Sequence, residues 1–282
     1  MNIFLTLLPI GLAIVMIGLG LELTINDFKR VRKHPKAIIT ALFCQLVLLV
    51  SLAFIICKLF SLPPLLSVGV MLLAASPGGP TANIFSYLYK GDIALNVTLT
   101  AINSIIAAFT LPLILNLSLS YFLNDTQQVG LQFSKIIQVF IIILVPVIIG
   151  MLIRAYLPKF AHKIEKFVKY FAVAFLVTII VGAIYSQKDQ ILEYILQIGT
   201  VTALFCFLSL TLGYFIPKLV GVSSFQARAC SFEIGIHNST LAITIALTVL
   251  ANPTIAIPAV VYSLFMYIFA IIFGTIVMRE KR

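Results

Sequence analysis

The stretch "SFEIGIHNST", Ser231 to Thr240, places a carboxylate, a glycine and an imidazole inside a long apolar run. Glu233 lies deep within that run, and Gly235 separates it from His237. The polar residues from Asn238 to Thr240 are types that begin helices by accepting hydrogen bonds from backbone N–H groups. The stretch therefore predicts a helix that stops near Gly235 and a second helix that begins near Asn238.

A second stretch, "ASPGGPTANIFSYLYKGD" from Ala75 to Asp92, interrupts another apolar run with two glycines between two prolines. Proline removes a backbone donor and clashes with the preceding turn, so a regular continuous helix is not expected here. Pro80 suits the first position of a restarted helix, and Thr81 and Asn83 bring polar side chains to its N-terminus. Two interrupted helices are predicted, or alternatively two kinks that only shape packing.

The chain is 61% hydrophobic and only 10% charged, with a mean hydropathy of +1.15. This composition excludes a soluble domain and makes the bilayer the solvent. The apolar runs are long and do not alternate as barrel strands do, so we expect an all-α, polytopic membrane protein. Nine spans are predicted, at about 3–23, 37–57, 64–89, 92–118, 131–153, 168–186, 191–215, 225–250 and 256–278.

The net charge of +10 comes from basic residues on alternate loops. Of the 19 Lys and Arg residues, all but Lys58, Lys135 and Lys188 fall on one set of loops. The positive-inside rule therefore predicts an outside N-terminus and a cytoplasmic C-terminus, which requires an odd number of spans. This placement also argues against a nucleic-acid partner, and the lipid bilayer is the partner expected.

The two interrupted helices lie five helices apart in a chain whose orientation reverses between them. Broken helices at corresponding positions indicate an inverted repeat. We expect one transmembrane unit over residues 1–282, with a four-helix repeat at 1–118 and a five-helix repeat at 131–278. Irregular backbone at membrane depth must face protein, water or a ligand, because lipid cannot satisfy its polar groups.

Glu233 needs a partner of positive charge at membrane depth, and no Lys or Arg is predicted there. Asn96, Thr100 and Asn103 share one face of the fourth predicted helix, at spacings of four and three. Together with Asn83 and Glu233 they form an oxygen-rich set with one negative charge. Such a set suits a hard monovalent cation such as sodium. The alternative is that the polar stripe makes hydrogen bonds between helices.

Gln45 interrupts the apolar stretch "ALFCQLVLL", and His237 is the one histidine outside the basic loops. Gln45 suits either an interhelical hydrogen bond or a second cation site. His237 suits either a proton relay or site ligand, or a buried histidine whose hydrogen bonds are satisfied.

The motifs "SPGGPTAN" and "EIGIHN", with Gln45 in an apolar helix, resemble the bile acid:sodium symporter family over essentially the whole sequence. The resemblance implies the nine-helix form of a bacterial inner-membrane protein, with a core domain of two crossed discontinuous helices and a separate panel domain. It implies sodium-coupled symport of an organic anion by alternating access, the anion being bile-acid-like or a small carboxylate such as pantoate. Proton coupling on the same fold is the alternative, and no obligate protein partner is expected.

The resemblance also implies two sodium sites behind the helix crossing and a substrate carboxylate in front of it. The first site would be formed by Asn83, Asn96, Thr100 and Glu233. The second would be formed by Gln45, by His237 and by the backbone carbonyls of Glu233, Ile234 and Ile236. The substrate carboxylate would lie where the restarted half-helices begin, near Pro80 to Thr81 and near Asn238 to Ser239, and would be received there by backbone N–H groups.

Two other classes of protein are weighed against a transporter. A membrane-embedded metalloprotease needs a second histidine at a defined spacing, and the sequence offers His237 without one at comparable depth. A channel needs a charged ring or a filter repeat, and neither is visible. The sequence therefore favours a transporter over an enzyme.

Overall fold

The computed structural model of the chain describes residues 3–79, 81–123, 133–186 and 191–279. Within these ranges every regular element is helical, as predicted. The α-helices are α1 (Ile3–Glu22), α2 (Ile25–Lys29), α3 (Pro35–Phe43), α4 (Leu49–Leu59), α5 (Pro64–Ala75), α6 (Thr81–Leu88), α7 (Ile93–Phe122), α8 (Phe133–Tyr156), α9 (Pro158–Ser186), α10 (Ile191–Leu219), α11 (Ser224–Gly235), α12 (Ser239–Thr248) and α13 (Pro253–Met278). A 3₁₀ turn covers Arg30–Lys33, and a π-helical turn, Cys44–Leu48, joins α3 to α4.

Five helices in the described ranges are long and apolar enough to cross a bilayer. They are Pro35–Leu59, Ile93–Phe122, Ile137–Tyr156, Leu196–Leu219 and Pro253–Met278. The pair Leu7–Glu22 and Ile25–Lys33, bent by 63°, is a sixth if it counts as one span. The count of nine spans stays a prediction.

Both interruptions predicted from the sequence are present. Helix α5 ends at Ala75 and α6 begins at Thr81, while α11 ends at Gly235 and α12 begins at Ser239. Asn238 is the N-cap of α12, and its side chain accepts a hydrogen bond from the backbone of Leu241. Pro80, predicted as the first residue of the restarted helix, lies outside the described residues.

The two interruptions pair with each other as a short antiparallel bridge. Gly79 donates its N–H to the carbonyl of Ile236 at 2.8 Å, and Asn238 donates to the carbonyl of Pro77 at 2.8 Å. These bonds satisfy backbone groups that lipid could not satisfy. The two breaks therefore form one structural unit at the centre of the helical bundle.

The helices pack in two groups around this unit. In the first group, α1 packs closely against α8 and α9. Gly20 and Gly150 let α1 and α8 approach so closely that a Cβ on either glycine would overlap the backbone of the other helix. The second group contains α3 to α7 and α10 to α13, with α5 and α10 packed on α13.

Helix α9 begins at Pro158, earlier than the span predicted at 168. Lys159, Lys163 and Lys166 therefore lie on exposed helical turns and not in a loop. The apolar pattern marks only the part of a helix that contacts lipid. Pro158 suits the first position of a helix, so α9 begins in the basic stretch before its apolar part.

Candidate functional site

Glu233 lies in the last turn of α11 with no solvent exposure. Its carboxylate accepts hydrogen bonds from Thr100 Oγ1 at 2.5 Å, from Asn103 Nδ2 at 3.1 Å and from the backbone N–H of Gly78. No ion pair joins it to a basic side chain within the described ranges. The structure therefore brings Thr100 and Asn103 to Glu233, as the stripe on α7 predicts, and leaves its charge uncompensated.

Asn96 and Asn103 each leave an amide oxygen without a hydrogen-bond partner. Asn96 Nδ2 donates to Ser86 Oγ at 2.8 Å and to the carbonyl of Ala229 at 2.9 Å. The Ala229 carbonyl can only accept a hydrogen bond, so the Asn96 atom that contacts it must be the amide nitrogen. Asn96 Oδ1 therefore points away from Ala229. Buried polar atoms of this kind normally have a partner, so these oxygens suit a cation.

Asn83 lies in the first turn of α6 and contacts Glu22, the last residue of α1. Its Nδ2 donates to Glu22 Oε2 at 3.3 Å, and its Oδ1 has no partner. No hydrogen bond joins Asn83 to Glu233 among the described residues. Sequence reasoning missed this contact, because Glu22 shows only a negative charge at the end of the first apolar run.

Gln45 and His237 meet at the backbone carbonyl of Ser76. Gln45, in the π-helical turn, donates to the carbonyls of Ala74 at 3.3 Å and Ser76 at 3.1 Å. His237 Nδ1 lies 3.2 Å from the same Ser76 oxygen and therefore carries the ring proton. Gln45 Oε1 and His237 Nε2 are left without partners. Single π-helical turns within longer helices are frequent at functional sites.

The surroundings of His237 are aromatic. Its ring stacks on Phe205 with centroids 5.6 Å apart and meets the Tyr262 ring edge at 5.4 Å. Tyr262 donates its hydroxyl to the carbonyl of Gly235 at 2.8 Å. The carbonyl of Ile236, a predicted sodium ligand, already accepts the Gly79 N–H, and Ile234 is fully buried.

A cavity of about 470 Å³ lies between the two helix groups. The first residues of α6 and α12, Thr81 and Ser239, line this cavity. Its polar lining residues are Glu22, Thr81, Asn83, His237, Asn238, Ser239, Thr240, Ser263 and Tyr267. The rest of the wall is mainly apolar and includes Val15, Ile84 and Met266. Three of the four residues predicted to receive the substrate, Thr81, Asn238 and Ser239, therefore line one cavity.

Residues 9–194 match the model of the sodium bile acid symporter family. The chain belongs to this family. As a family member with several apolar helices, it is a multi-pass membrane protein. The resemblance seen in the two broken-helix motifs is thus confirmed at the level of the family.

Curated relatives of this symporter-family chain come from plants, bacteria and animals. A probable chloroplastic sodium/metabolite cotransporter of Oryza sativa is 29% identical over 255 residues, which cover 90% of this chain and 61% of the relative. An uncharacterized sodium-dependent transporter of Bacillus subtilis is 28% identical over 256 residues, covering 91% and 78%. The human ileal sodium/bile acid cotransporter is 29% identical over 274 residues, covering 95% and 77%. The chain spans about three fifths of the length of the plant relatives.

Proposed function

We propose that this protein is a sodium-coupled symporter of an organic anion. The observation that carries the proposal is the paired unit of the two breaks. Glu233 contacts the backbone of Gly78 within this unit, and the next residue, Gly79, lines the cavity. A cation at Glu233 and an anion in the cavity would therefore act on the same short backbone segment.

Sodium binding and anion binding are coupled if sodium stabilises the conformation of this segment that binds the anion. A ligand shifts a conformational equilibrium only by its differential affinity for the two states, and the effect is reciprocal. Sodium at Glu233 compensates a charge that otherwise lies buried without a counter-ion, so it stabilises the packing of Gly78 on the carboxylate. The anion-binding ends of α6 and α12 are continuous with that packing.

The first sodium site is proposed at Glu233 with Asn83, Asn96 and Thr100. Its support is the Glu233 carboxylate, which contacts Thr100 on α7 and has no basic partner among the described residues, together with the unpaired buried amide oxygens of Asn83 and Asn96. Asn103 Oδ1 joins this set on the same grounds. As a transported ion, sodium would be held here by oxygen ligands of the kind that hard cations prefer.

A second cation site is proposed behind the first break. Its ligands would be Gln45, His237 and the backbone carbonyls of Glu233, Ile234 and Ile236. Gln45 Oε1 is free to coordinate, whereas His237 could use only Nε2, because Nδ1 is committed to Ser76. A neutral imidazole is a poor sodium ligand, so a proton at His237 is the alternative, and proton coupling on the same fold is the second candidate function.

The anion would bind in the cavity at the ends of α6 and α12. Helix N-termini carry partial positive charge and backbone donors, which favour carboxylates. The N–H groups of Asn238 and Ser239 already donate to the carbonyls of Pro77 and His237. These two residues would therefore contact the anion through their side chains, together with Thr81 and Pro80. A volume of about 470 Å³ is within the range of small-molecule sites. Both a bile-acid-like anion and a small carboxylate such as pantoate belong to the proposed class.

The proposed architecture is the nine-helix form, with inverted repeats at 1–118 and 131–278. The first helix group (α1, α8 and α9) would be the panel domain and the second group the core domain. Alternating access would come from movement of one group against the other around the cavity. The N-terminus would lie outside and the C-terminus in the cytoplasm of a bacterial inner membrane, and no obligate protein partner is proposed.

Uptake into proteoliposomes tests the coupling. An inward sodium gradient should drive accumulation of a transported anion, and Glu233→Gln should abolish this sodium dependence because a neutral amide no longer requires a cation. Glu165→Gln, which removes a carboxylate that pairs with Arg154 outside the cavity, is the matched control and should retain it. Accumulation that does not depend on the sodium gradient, but is lost when a proton gradient is dissipated, would contradict sodium coupling and support the proton-coupled alternative.

A further inference from the structure

A second pocket, of about 440 Å³, lies beside the bend between α1 and α2. The chain turns there by 63° between Leu7–Glu22 and Ile25–Lys33. Thr24 donates its N–H and its hydroxyl to Asp27 Oδ2, each at 2.7 Å, so local hydrogen bonds hold the bend. The bend leaves space between α2 and the last turns of α8, and this space is the pocket.

The wall of this pocket is mainly apolar and has a basic edge. Its lining residues are Leu23, Thr24, Ile25, Asn26, Lys29, Met151, Leu152, Arg154 and Ala155. Among these described residues two carry a formal charge, Lys29 and Arg154, and both are positive. Ile25 and Leu152 are 64% and 49% exposed. The pocket therefore matches a ligand that has an anionic group and a hydrocarbon body.

The neighbouring carboxylates leave this edge with a net positive charge. Asp27 is buried and accepts from Arg30 Nη1 at 3.1 Å, so these two charges offset each other. Glu165 Oε2 lies 3.8 Å from Arg154 Nη1, a contact longer than a hydrogen bond, which leaves guanidinium donors for another acceptor. Lys29 forms no ion pair within the described ranges. Even with Glu165 counted, the charge of Lys29 is not offset.

The position of the pocket along the chain favours a lipid over a free anion. Lys29 and Arg154 belong to the basic residues that follow alternate predicted spans, so the pocket is predicted to open at the cytoplasmic surface. Basic pockets between transmembrane helices on that side bind the head groups of acidic lipids. Inorganic phosphate would contact the two cations but would leave Ile25 and Leu152 uncovered, whereas an acyl chain covers them.

We propose that an acidic phospholipid binds in this pocket with its phosphate between Lys29 and Arg154. One acyl chain lies along the exposed face of α8, where Leu152 and Ile148 are one turn apart. Lys29 is on α2, which packs against α7 of the second helix group, whereas Arg154 is on α8 of the first group. The lipid therefore contacts both groups and stabilises their relative placement. This site is separate from the cavity described above and does not depend on sodium coupling.

The sequence contains no tryptophan, so a single introduced tryptophan can report on the lipid. Ile148 is exposed and lies six residues before Arg154, about 9 Å further along α8 toward the middle of the helix. Ile148→Trp thus samples the acyl chain without filling the pocket. Ile272→Trp is the matched reporter, since Ile272 is exposed on α13 and lies seven residues before Arg279, a basic residue outside the pocket.

Quenching by phospholipids that carry bromine in the middle of the acyl chain measures which lipid occupies each position. Each full-length reporter is reconstituted in mixtures of phosphatidylglycerol and phosphatidylcholine, with one or the other lipid brominated. At Ile148→Trp, phosphatidylglycerol should bind about tenfold more strongly than phosphatidylcholine, because two basic side chains attract its net charge. At Ile272→Trp the ratio should be near one. Adding Lys29→Gln or Arg154→Gln to the Ile148→Trp chain should lower its ratio toward one, whereas Arg279→Gln should leave it unchanged.

The wild-type chain gives a second measurement that needs no reporter. In detergent, phosphatidylglycerol should raise the midpoint of thermal unfolding more than phosphatidylcholine at the same mole fraction, and Lys29→Gln should remove most of this difference. The proposal is overturned if the two lipids give equal midpoints. Equal quenching ratios at the two tryptophans, or a ratio that neither Lys29→Gln nor Arg154→Gln lowers, would also overturn it. None of these results changes the outcome expected in the uptake experiment.

Discussion

The contact between Gly78 and Glu233 ties the first break to the proposed cation site. The Glu233 carboxylate packs directly on the Gly78 backbone, where a Cβ would overlap both carboxylate oxygens and the carbon between them. The neighbouring Gly79 has room, since the nearest atom to its Cβ would lie 3.5 Å away. A methyl group on Gly78 would therefore displace the Glu233 carboxylate, whereas a methyl group on Gly79 would fit without displacing any atom.

We predict that Gly78→Ala abolishes stabilisation of the protein by sodium, because the added methyl displaces the carboxylate from Thr100 and Asn103. Gly79→Ala should retain it. The measurement is the midpoint of thermal unfolding in sodium compared with choline at equal ionic strength, since a ligand of the folded state raises that midpoint. Equal sodium responses in the two variants would contradict the proposed site.

The sequence predicted these residues unevenly, and the reason is geometric. Glu233 was identified because a carboxylate in an apolar run is costly and needs a partner. The spacing of Asn96, Thr100 and Asn103 placed them on one face, but it could not say which of them reaches Glu233. Asn83 was assigned to Glu233, whereas the structure gives it Glu22, a contact between helices far apart in the chain.

At the scale of the element, the start of α12 combines helix capping with the proposed anion site. Asn238 caps α12 by accepting from Leu241 at 3.0 Å, and Asn252 caps α13 by accepting from Thr254 at 3.0 Å. Only Asn238 lines the cavity. The two residues are therefore matched in chemistry and differ in location.

We predict that Asn238→Ala and Asn252→Ala each cost about 1 kcal/mol of stability, the usual value for a lost N-cap. Only Asn238→Ala should also weaken anion binding, because the cap holds the first turn of α12 against the cavity. Thermal unfolding measures the first effect, and calorimetric titration of a bound organic anion in sodium buffer measures the second. Equal anion affinity in the two variants would argue against binding at the start of α12.

The interruptions themselves could be predicted, because proline and glycine act through local sterics that the sequence displays. The bridge from Gly79 to Ile236 could not be predicted, since it joins segments more than 150 residues apart. The start of α9 was placed too late for another reason. The span was read from apolar residues, and Pro158 begins a helix whose first turns are basic.

At the scale of the whole molecule, the cavity lies on the boundary between the two helix groups. The bridge between the breaks belongs to the second group, whereas Val15 and Glu22 in the cavity wall belong to the first. A movement between the groups would therefore change the cavity wall while leaving Glu233, Thr100 and Asn103 together. The proposed alternating access would require this separation, because the proposed cation site must stay intact while the cavity wall changes.

The orientation of the bundle can be tested from the distribution of charge. The sixteen basic residues that follow alternate predicted spans indicate that Lys163 faces the cytoplasm and that Lys58 faces outside. Both side chains are exposed, and the four native cysteines are buried. In intact cells, a membrane-impermeant maleimide should label Lys58→Cys but not Lys163→Cys, and both should be labelled once the membrane is permeabilised. The wild-type chain reports background labelling, and the reverse pattern would contradict the predicted outside N-terminus and the odd number of spans that follows from it.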